Sequence, residues 1–243
     1  MHDDRGIRNR PAAREFQFYL VSTPIGNLAD LSARAEETLR SVDAILAEDT
    51  RKARILLGHY GIRTPVRSYH DHNKETMIPS IVRELDEGRR FALIADAGTP
   101  LLSDPGYELV RKLIERGVAI TAIPGACAAT TALVLSGLPP DRFTFYGYVP
   151  RKRGERERLI VEASENPYTS VFFESPHRLI ETLGDLSRLL GDREIVVARE
   201  LTKVHEEVAR GTAAELLAHF GKSAVRGEIA LLVRGPGRRR PPR

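Results

Sequence analysis

Hydrophobic and polar positions along this chain switch repeatedly between two periods. FQFYLVS (16–22), AILAE (44–48), PVRSY (65–69), FALIAD (91–96) and VAITAIPG (118–125) are short, mostly apolar runs that suit the middle of a sheet. Each is followed by a segment with helical spacing. In LSARAEETLRSV (31–42), Leu31, Ala35, Leu39 and Val42 share a face behind Asp30, which reads as the N-cap. TRKARILLGHYG (50–61) ends on Gly61, and MIPSIVRELDEG (77–88) carries Ile81, Val82 and Leu85 on one side. YELVRKLIERG (107–117) and ACAATTALVLSG (126–137) complete five strand–helix repeats. Such alternation predicts a parallel sheet covered by helices on both faces.

GLPPDR (137–142) then reads as a connector. Beyond it RFTFYGYV, YTSVFFES, REIVVARE, EEVARG and EIALLV are strand-like, with helices at 176–190 and 212–220. More strands per helix predict a mixed sheet. The sequence thus divides into an N-terminal α/β domain over 16–137 and a C-terminal α/β domain over 142–234. The basic tails, 1–15 and 235–243, read as disordered.

Composition narrows the class. The 243 residues are 42% hydrophobic, enough for a substantial core. No run approaches the ~18 apolar residues of a membrane span, and MHDDRGIRNRPAAR lacks the apolar centre of a secretory signal. A single cysteine, Cys127, rules out an intramolecular disulfide and a multi-cysteine zinc site. A cytoplasmic location fits these features. The net charge of +4 is mild, but its distribution is uneven. Arg5, Arg8, Arg10 and Arg14 precede the first strand, RKRGERER (151–158) lies in the interior, and RGPGRRRPPR closes the chain. Such clusters attract phosphate backbones, or form ordinary solvated surface.

Candidate chemistry lies in loops that follow strands, because open parallel sheets bind ligands beyond the carboxyl ends of their strands. STPIGNLAD (22–30), DAGTPLLSDPG (96–106) and IPGACAATT (123–131) are rich in glycine, for close backbone approach, and in proline, for a preset shape. Asp96 offers a carboxylate to an amine or to ribose hydroxyls, and the helix start after Gly125 offers N–H groups to a carboxylate. Together they suit an amino-acid-like zwitterion joined to a nucleoside.

Other signals are weaker. No G-x-G-x-x-G follows the first strand, and Gly221-Lys222-Ser223 is a chance echo of a P-loop, with Leu216 where its first glycine belongs. AEDTRKAR (47–54) could orient a substrate or cap the next helix. His70 and His72 in YHDHNK have no third ligand at suitable spacing, so no metal is expected. In FFESPHRL, Ser175 and Pro176 read as an N-cap pair; in ARELTKVHEE, Lys203, His205 and Glu206 could reach a cleft. Hydrolytic motifs are absent.

STPIGNLAD, AEDTR, ADAGTPLLSDPGY, FYGYVPRKRGER, FFESPHRL, ARELTK and RGEIALLV, in this order, resemble the ribosomal RNA small subunit methyltransferase I family of the tetrapyrrole-methylase superfamily. The resemblance runs from about Phe16 to Val233. It implies a two-domain, tetrapyrrole-methylase-like α/β fold, usually a homodimer. It also implies S-adenosylmethionine bound in the cleft between domains, and 2′-O-methylation of a cytidine in the decoding region of 16S rRNA. On the family pattern Pro24, Asp96, Ala97, Gly98, Leu101, Pro124, Gly125 and Ala126 line the cofactor site, closed by Phe173, Leu201 and Ile229. Ile-Pro-Gly-Ala-Cys stands where the family usually has Ile-Pro-Gly-Pro-Ser, so no hydroxyl is present at position 127.

A ribose hydroxyl is a weak nucleophile, so alignment and proton removal are the tasks left to the protein. Glu48 or Asp49 is the expected base, with His70 and Lys203 as weaker candidates. Arg51, Lys52, Arg151, Lys152 and Arg153 are the expected RNA-phosphate contacts. Two rival readings are a methylase of a porphyrin-like molecule and a non-catalytic RNA-binding protein on the same fold.

Overall fold

Strands whose every residue is buried need cover on both faces, and three segments of this chain, AILA, FALI and IALLV, are of that kind. The computed structural model describes residues 16–222 and 224–236. The tail residues 1–15 and 237–243 lie outside the described residues, and with them the tail arginines.

The first half contains β1 (Phe18–Val21), α1 (Ala33–Ser41), β2 (Ala44–Ala47), α2 (Thr50–His59), β3 (Val66–Ser68), α3 (Lys74–Asp86), β4 (Phe91–Ile94), α4 (Tyr107–Glu115) and β5 (Ile120–Ile123). Its sheet runs in the order β3-β2-β4-β1-β5, and every pairing is parallel. Alternate residues sort to opposite sides. Phe18, Leu46, Phe91 and Leu93 pack with Ile81 and Leu85 of α3 and Leu109 and Leu113 of α4. On the other parity Ile45, Ala92 and Ile94 are buried, as are Ala35 and Leu39 of α1 and Ala53 and Leu57 of α2. Two elements begin elsewhere than the pattern suggests. Ser32, not Asp30, caps α1 by accepting from Ala35 N, because Leu28–Asp30 form a short 3-10 turn of their own. Helix α3 starts at Lys74, which places Pro79 inside it. Asn73 ties this start down: its Oδ1 accepts from His70 N and its Nδ2 donates to Ser68 O.

The second half contains α5 (Ala128–Ser136), β6 (Phe143–Tyr148), α6 (Arg153–Glu165), β7 (Thr169–Glu174), α7 (Leu179–Leu190), β8 (Glu194–Arg199), β9 (Glu207–Thr212), α8 (Ala213–Phe220) and β10 (Ile229–Val233). Its sheet is mixed, in the order β6-β7-β10-β8-β9; only the β6–β7 pairing is parallel. One face buries Phe172, Ile195, Val197 and Leu231 against α6, α7 and α8. The other buries Val171, Val196, Ala198 and Leu232 against Ala129, Ala132 and Leu133 of α5, with Ile25.

Contacts divide the chain into two compact units. Residues 16–22 and 32–124 form the first, residues 23–31 and 125–236 the second. The expected boundary at 137–142 falls later than this division. Helix α5 is apolar nearly all round, and its buried residues pack with the mixed sheet, so it counts with the second unit. Ile25 takes segment 23–31 there for the same reason.

Helix α6 has no counterpart in the apolar pattern. Its buried residues are Arg156, Ile160 and Ala163, so the inward stripe begins with a charge. Arg156 is fully buried and donates to Asp185 Oδ2 at 2.8 Å and Glu181 Oε1 at 2.6 Å, both on α7. Helix α7 starts at Leu179 without a side-chain cap. Ser175 does not cap it, since only its carbonyl takes part, accepting from Arg178 N and Leu179 N. Among the described residues, no helix is long and apolar enough to cross a membrane.

Candidate functional site

Parallel register fixes which residues share the carboxyl edge of the first sheet. Val21, Ile94, Ala47 and Ile123 stand level across β1, β4, β2 and β5. Ser22, Ala95, Glu48 and Pro124 therefore leave the sheet side by side. This is the edge where open parallel sheets place ligands.

The 95–106 loop is held in an unusual shape. Gly98 and Gly106 take positive φ, and so do Leu101 (+73°) and Ser103 (+70°), where a side chain makes that conformation costly. Gly106 is also closely packed: a Cβ there would lie 2.7 Å from Leu93 Cδ2, so that side chain would have to shift. Ser22 Oγ donates to Thr99 Oγ1 at 3.2 Å and ties this loop to the end of β1. A chain that accepts such strain holds its loop shape before any ligand arrives.

Asp96 is the centre of this edge. Its Oδ1 accepts from the Asp49 backbone N–H at 3.2 Å, and its Oδ2 pairs with Lys52 Nζ at 2.8 Å. Asp49 is the N-cap of α2, accepting from Arg51 N at 2.8 Å, while the Arg51 guanidinium reaches Asp49 Oδ2 at 3.1 Å. The Arg51 side chain, followed by its backbone N–H, pulls the Asp49 carboxyl down to about 2. So held, Asp49 is a poor proton acceptor, which counts against it as the base. Glu48 is exposed on the same edge.

Asp104 is the residue that sequence reasoning missed. Burial, then the charges of Glu48 and Asp96, push its carboxyl up to about 6. The sequence shows only a turn aspartate before proline; the fold brings three carboxylates together. His70, on the loop after β3, has a buried Nδ1 with no hydrogen-bond partner among the described residues. Its ring lies 5.9 Å from that of His72, and no group of three potential metal ligands occurs among the described residues.

The second unit gathers most of its expected cofactor residues on one face. Leu201 belongs to the apolar cluster on the α5 face, and Ala126 and Phe173 pack against that cluster. Pro24 is buried and precedes Ile25, a member of the same cluster. Leu201 sits between two left-handed residues, Glu200 (+52°) and Thr202 (+65°). This turn explains Gly26: a Cβ there would fall 2.6 Å from the Leu201 carbonyl and 2.4 Å from Lys203 Cγ. Ile229 departs from the group. Strand alternation sends its side chain into the opposite cluster, among α6 to α8. Gly125 is exposed, and Cys127, the N-cap position of α5, makes no side-chain cap, so a ligand carboxylate could serve there.

Lys203 is unsuited to be a base. Burial disfavours its charge, but hydrogen bonds to Glu200 at 2.8 Å and Glu228 at 3.2 Å outweigh that and raise its pKa. Of the expected phosphate contacts, Arg51, Arg151, Lys152 and Arg153 are all exposed. Lys152 pairs with Glu155 and Arg153 with Glu157 on their own helix, and Lys52 is turned toward Asp96.

The sequence matches the family described as Tetrapyrrole (Corrin/Porphyrin) Methylases over residues 17–217. It is 49% identical over 219 residues to the ribosomal RNA small subunit methyltransferase I of Halalkalibacterium halodurans, covering 90% of this chain and 76% of that protein. To the Bacillus subtilis protein of the same name it is 48% identical over 217 residues, covering 89% and 74%. Among solved structures it is similar to diphthine synthase, with a TM-score of 0.71 at 15% identity, covering 91% of this chain and 90% of that one. That last likeness carries the fold alone.

Proposed function

The chain belongs to the tetrapyrrole methylase family and, within it, to the ribosomal RNA small subunit methyltransferase I proteins, and from that premise we propose that it methylates the 2′-oxygen of a cytidine ribose in the decoding region of 16S rRNA. Enzymes of this family are S-adenosylmethionine-dependent methyltransferases. The observation that carries the reading is identity near one half across 90% of the chain. S-adenosylmethionine, when bound, supplies a methyl carbon already activated by its sulfonium.

The residues present fit such a group. Asp96 keeps lone pairs beyond those used by Lys52 and Asp49 N–H, enough to accept from an amine or ribose hydroxyl. Ala97, Gly98 and Leu101 line a loop already set in shape. Pro124 and Gly125 are exposed ahead of an uncapped helix start, which suits a carboxylate.

The remaining work is to align the ribose hydroxyl and take its proton as the new O–C bond forms. Glu48 and Asp104 are the carboxylates we assign to that proton, Asp104 because its affinity for a proton lies near neutrality. His70 is assigned to substrate contact from the loop after β3. Arg51, Arg151, Lys152 and Arg153 are assigned to phosphates, and the working form to a cytoplasmic homodimer. Digestion of treated 30S subunits to nucleosides tests the chemistry: 2′-O-methylcytidine is the expected product, and a base-methylated nucleoside rejects it. Sedimentation of the purified protein tests the dimer.

A further inference from the structure

We propose that a pocket formed wholly within the second unit seats a phosphodiester of the RNA strand, with a base stacked beside it. The pocket encloses about 620 Å³ at the meeting of β8, β9, the end of α8 and the loop leading into β10. This inference rests on the RNA-methylating reading above.

The lining carries a surplus of cations. Both of its acidic residues are already paired. Glu207 accepts from the Arg199 guanidinium and meets His219 Nε2 at 2.7 Å, while Glu200 is held by Lys203 at 2.8 Å and by the Glu228 N–H at 3.2 Å. Lys222, Arg226 and His205 also line the pocket, and their side chains have no hydrogen bond or ion pair among the described residues. All three are exposed. A phosphate is the ligand such unpaired donors favour.

Two features make this more than loose surface charge. Gly227, at φ +88°, lies so close to the Glu200 carboxylate that a Cβ would sit 2.2 Å from Oε1. The backbone next to Arg226 is thereby pinned to the turn after β8. The second feature is aromatic. His219 packs edge-on to buried Phe220 with ring centroids 4.7 Å apart, and stays about half exposed (51%). A supported, exposed flat ring beside cations is how proteins hold single-stranded nucleic acid: charge tracks the backbone and the ring takes a base.

The test uses the full-length protein carrying K222A and R226A together, with H219A as a separate variant. Binding to 16S rRNA and to 30S subunits is measured across a salt series, with S-adenosylmethionine affinity measured alongside. The double variant is expected to bind RNA roughly threefold to tenfold more weakly at low salt. Its slope of log affinity against log salt should shrink by about 0.7 per cation removed. Affinity for S-adenosylmethionine should not change, and the charge-keeping variant K222R/R226K should restore the slope. H219A should weaken binding without altering the slope. Unchanged RNA affinity and slope, beside a wild type that methylates RNA, overturns the pocket's role alone. So does a change in sedimentation with RNA binding intact, which would make the pocket a protein contact. A wild type that neither binds nor methylates rRNA overturns the RNA reading itself.

Discussion

Lys52 Nζ lies 2.8 Å from Asp96 Oδ2. One ion pair thus joins a residue expected to face RNA phosphate to one expected to face the cofactor, and it ties the start of α2 to the end of β4. The pair is partly exposed, 62% and 26%, so water screens it and its worth to stability is small. Its consequence is for binding: Lys52 has less charge to offer RNA, and Asp96 is oriented before a ligand arrives.

Asp96→Ala removes the acceptor at the centre of the edge. Calorimetry should find S-adenosylmethionine binding at least about tenfold weaker, the worth of a charged hydrogen bond. Lys52→Ala should cost less than about fivefold, because it removes only an orienting partner. Equal affinity in Asp96→Ala and wild type would reduce Asp96 to a structural tie.

Asp104 makes stability depend on pH. Its native pKa, about 6, is above the ordinary 3.8, so the folded chain holds this proton more tightly than the unfolded chain. That contribution is full below pH 3.8, declines as pH rises, and is gone above about 6. Asp104→Asn cannot ionise. Denaturant titrations at pH 4 and pH 8 should show the variant gaining about 1–2 kcal/mol on wild type between the two, less than the whole shift would give because Asp104 is partly exposed and water screens it. If Asp104 also takes the ribose proton, the acid limb of the single-turnover rate near pH 6 disappears in the same variant.

Asp49 shows the opposite sign. Its carboxyl is held at about 2, so its contribution is present above the ordinary 3.8 and fades as pH falls toward 2. Asp49→Ala should lower the melting temperature at pH 7, and the gap should close in strong acid. Asp49→Asn keeps an N-cap oxygen and should retain most of the stability. As a cap rather than the base, Asp49 in its Asn variant should also leave single-turnover methylation within about threefold of wild type. A loss of about a hundredfold or more would restore Asp49 as the base.

Arg156→Met leaves buried Asp185 with Arg188 alone; in the native chain burial, which opposes its charge, is outweighed by Arg156 and Arg188 together. Breaking a buried ion pair from one side costs about 3–5 kcal/mol. Thermal unfolding should register that loss. Pairing Arg156→Met with Asp185→Leu should recover much of it, since apolar side chains can replace a buried pair without penalty.

Strand positions were legible because their signal is local. AILA, FALI and IALLV are continuous apolar runs, and each is a strand within a residue or so of where the pattern puts it. What needed the fold was pairing at a distance. Helix α6 was hidden because Arg156 occupies its buried face, and an arginine there is tolerable only with Asp185 and Glu181 on α7 to meet it. FFESPHR reads as a cap motif, yet its purpose is a buried carboxylate. Glu174 pairs with Arg178 and accepts from Thr182 Oγ1 and Ser175 N. At the candidate site, Asp96 was visible as an acid closing a core strand. The raised pKa of Asp104 was not, because it comes first from burial in the folded loop and then from the charges of Glu48, far away in sequence, and Asp96. The placement of Ile229 was not legible for a related reason: its side chain follows strand alternation into the opposite cluster.

The most direct test is methyl transfer from radiolabelled S-adenosylmethionine, with unmodified 30S subunits, naked 16S rRNA and a porphyrinoid offered in parallel and the label mapped on any RNA product. Label on a cytidine ribose oxygen in the decoding region is the predicted result. Label on the porphyrinoid alone, or on a base instead of a ribose, would contradict it.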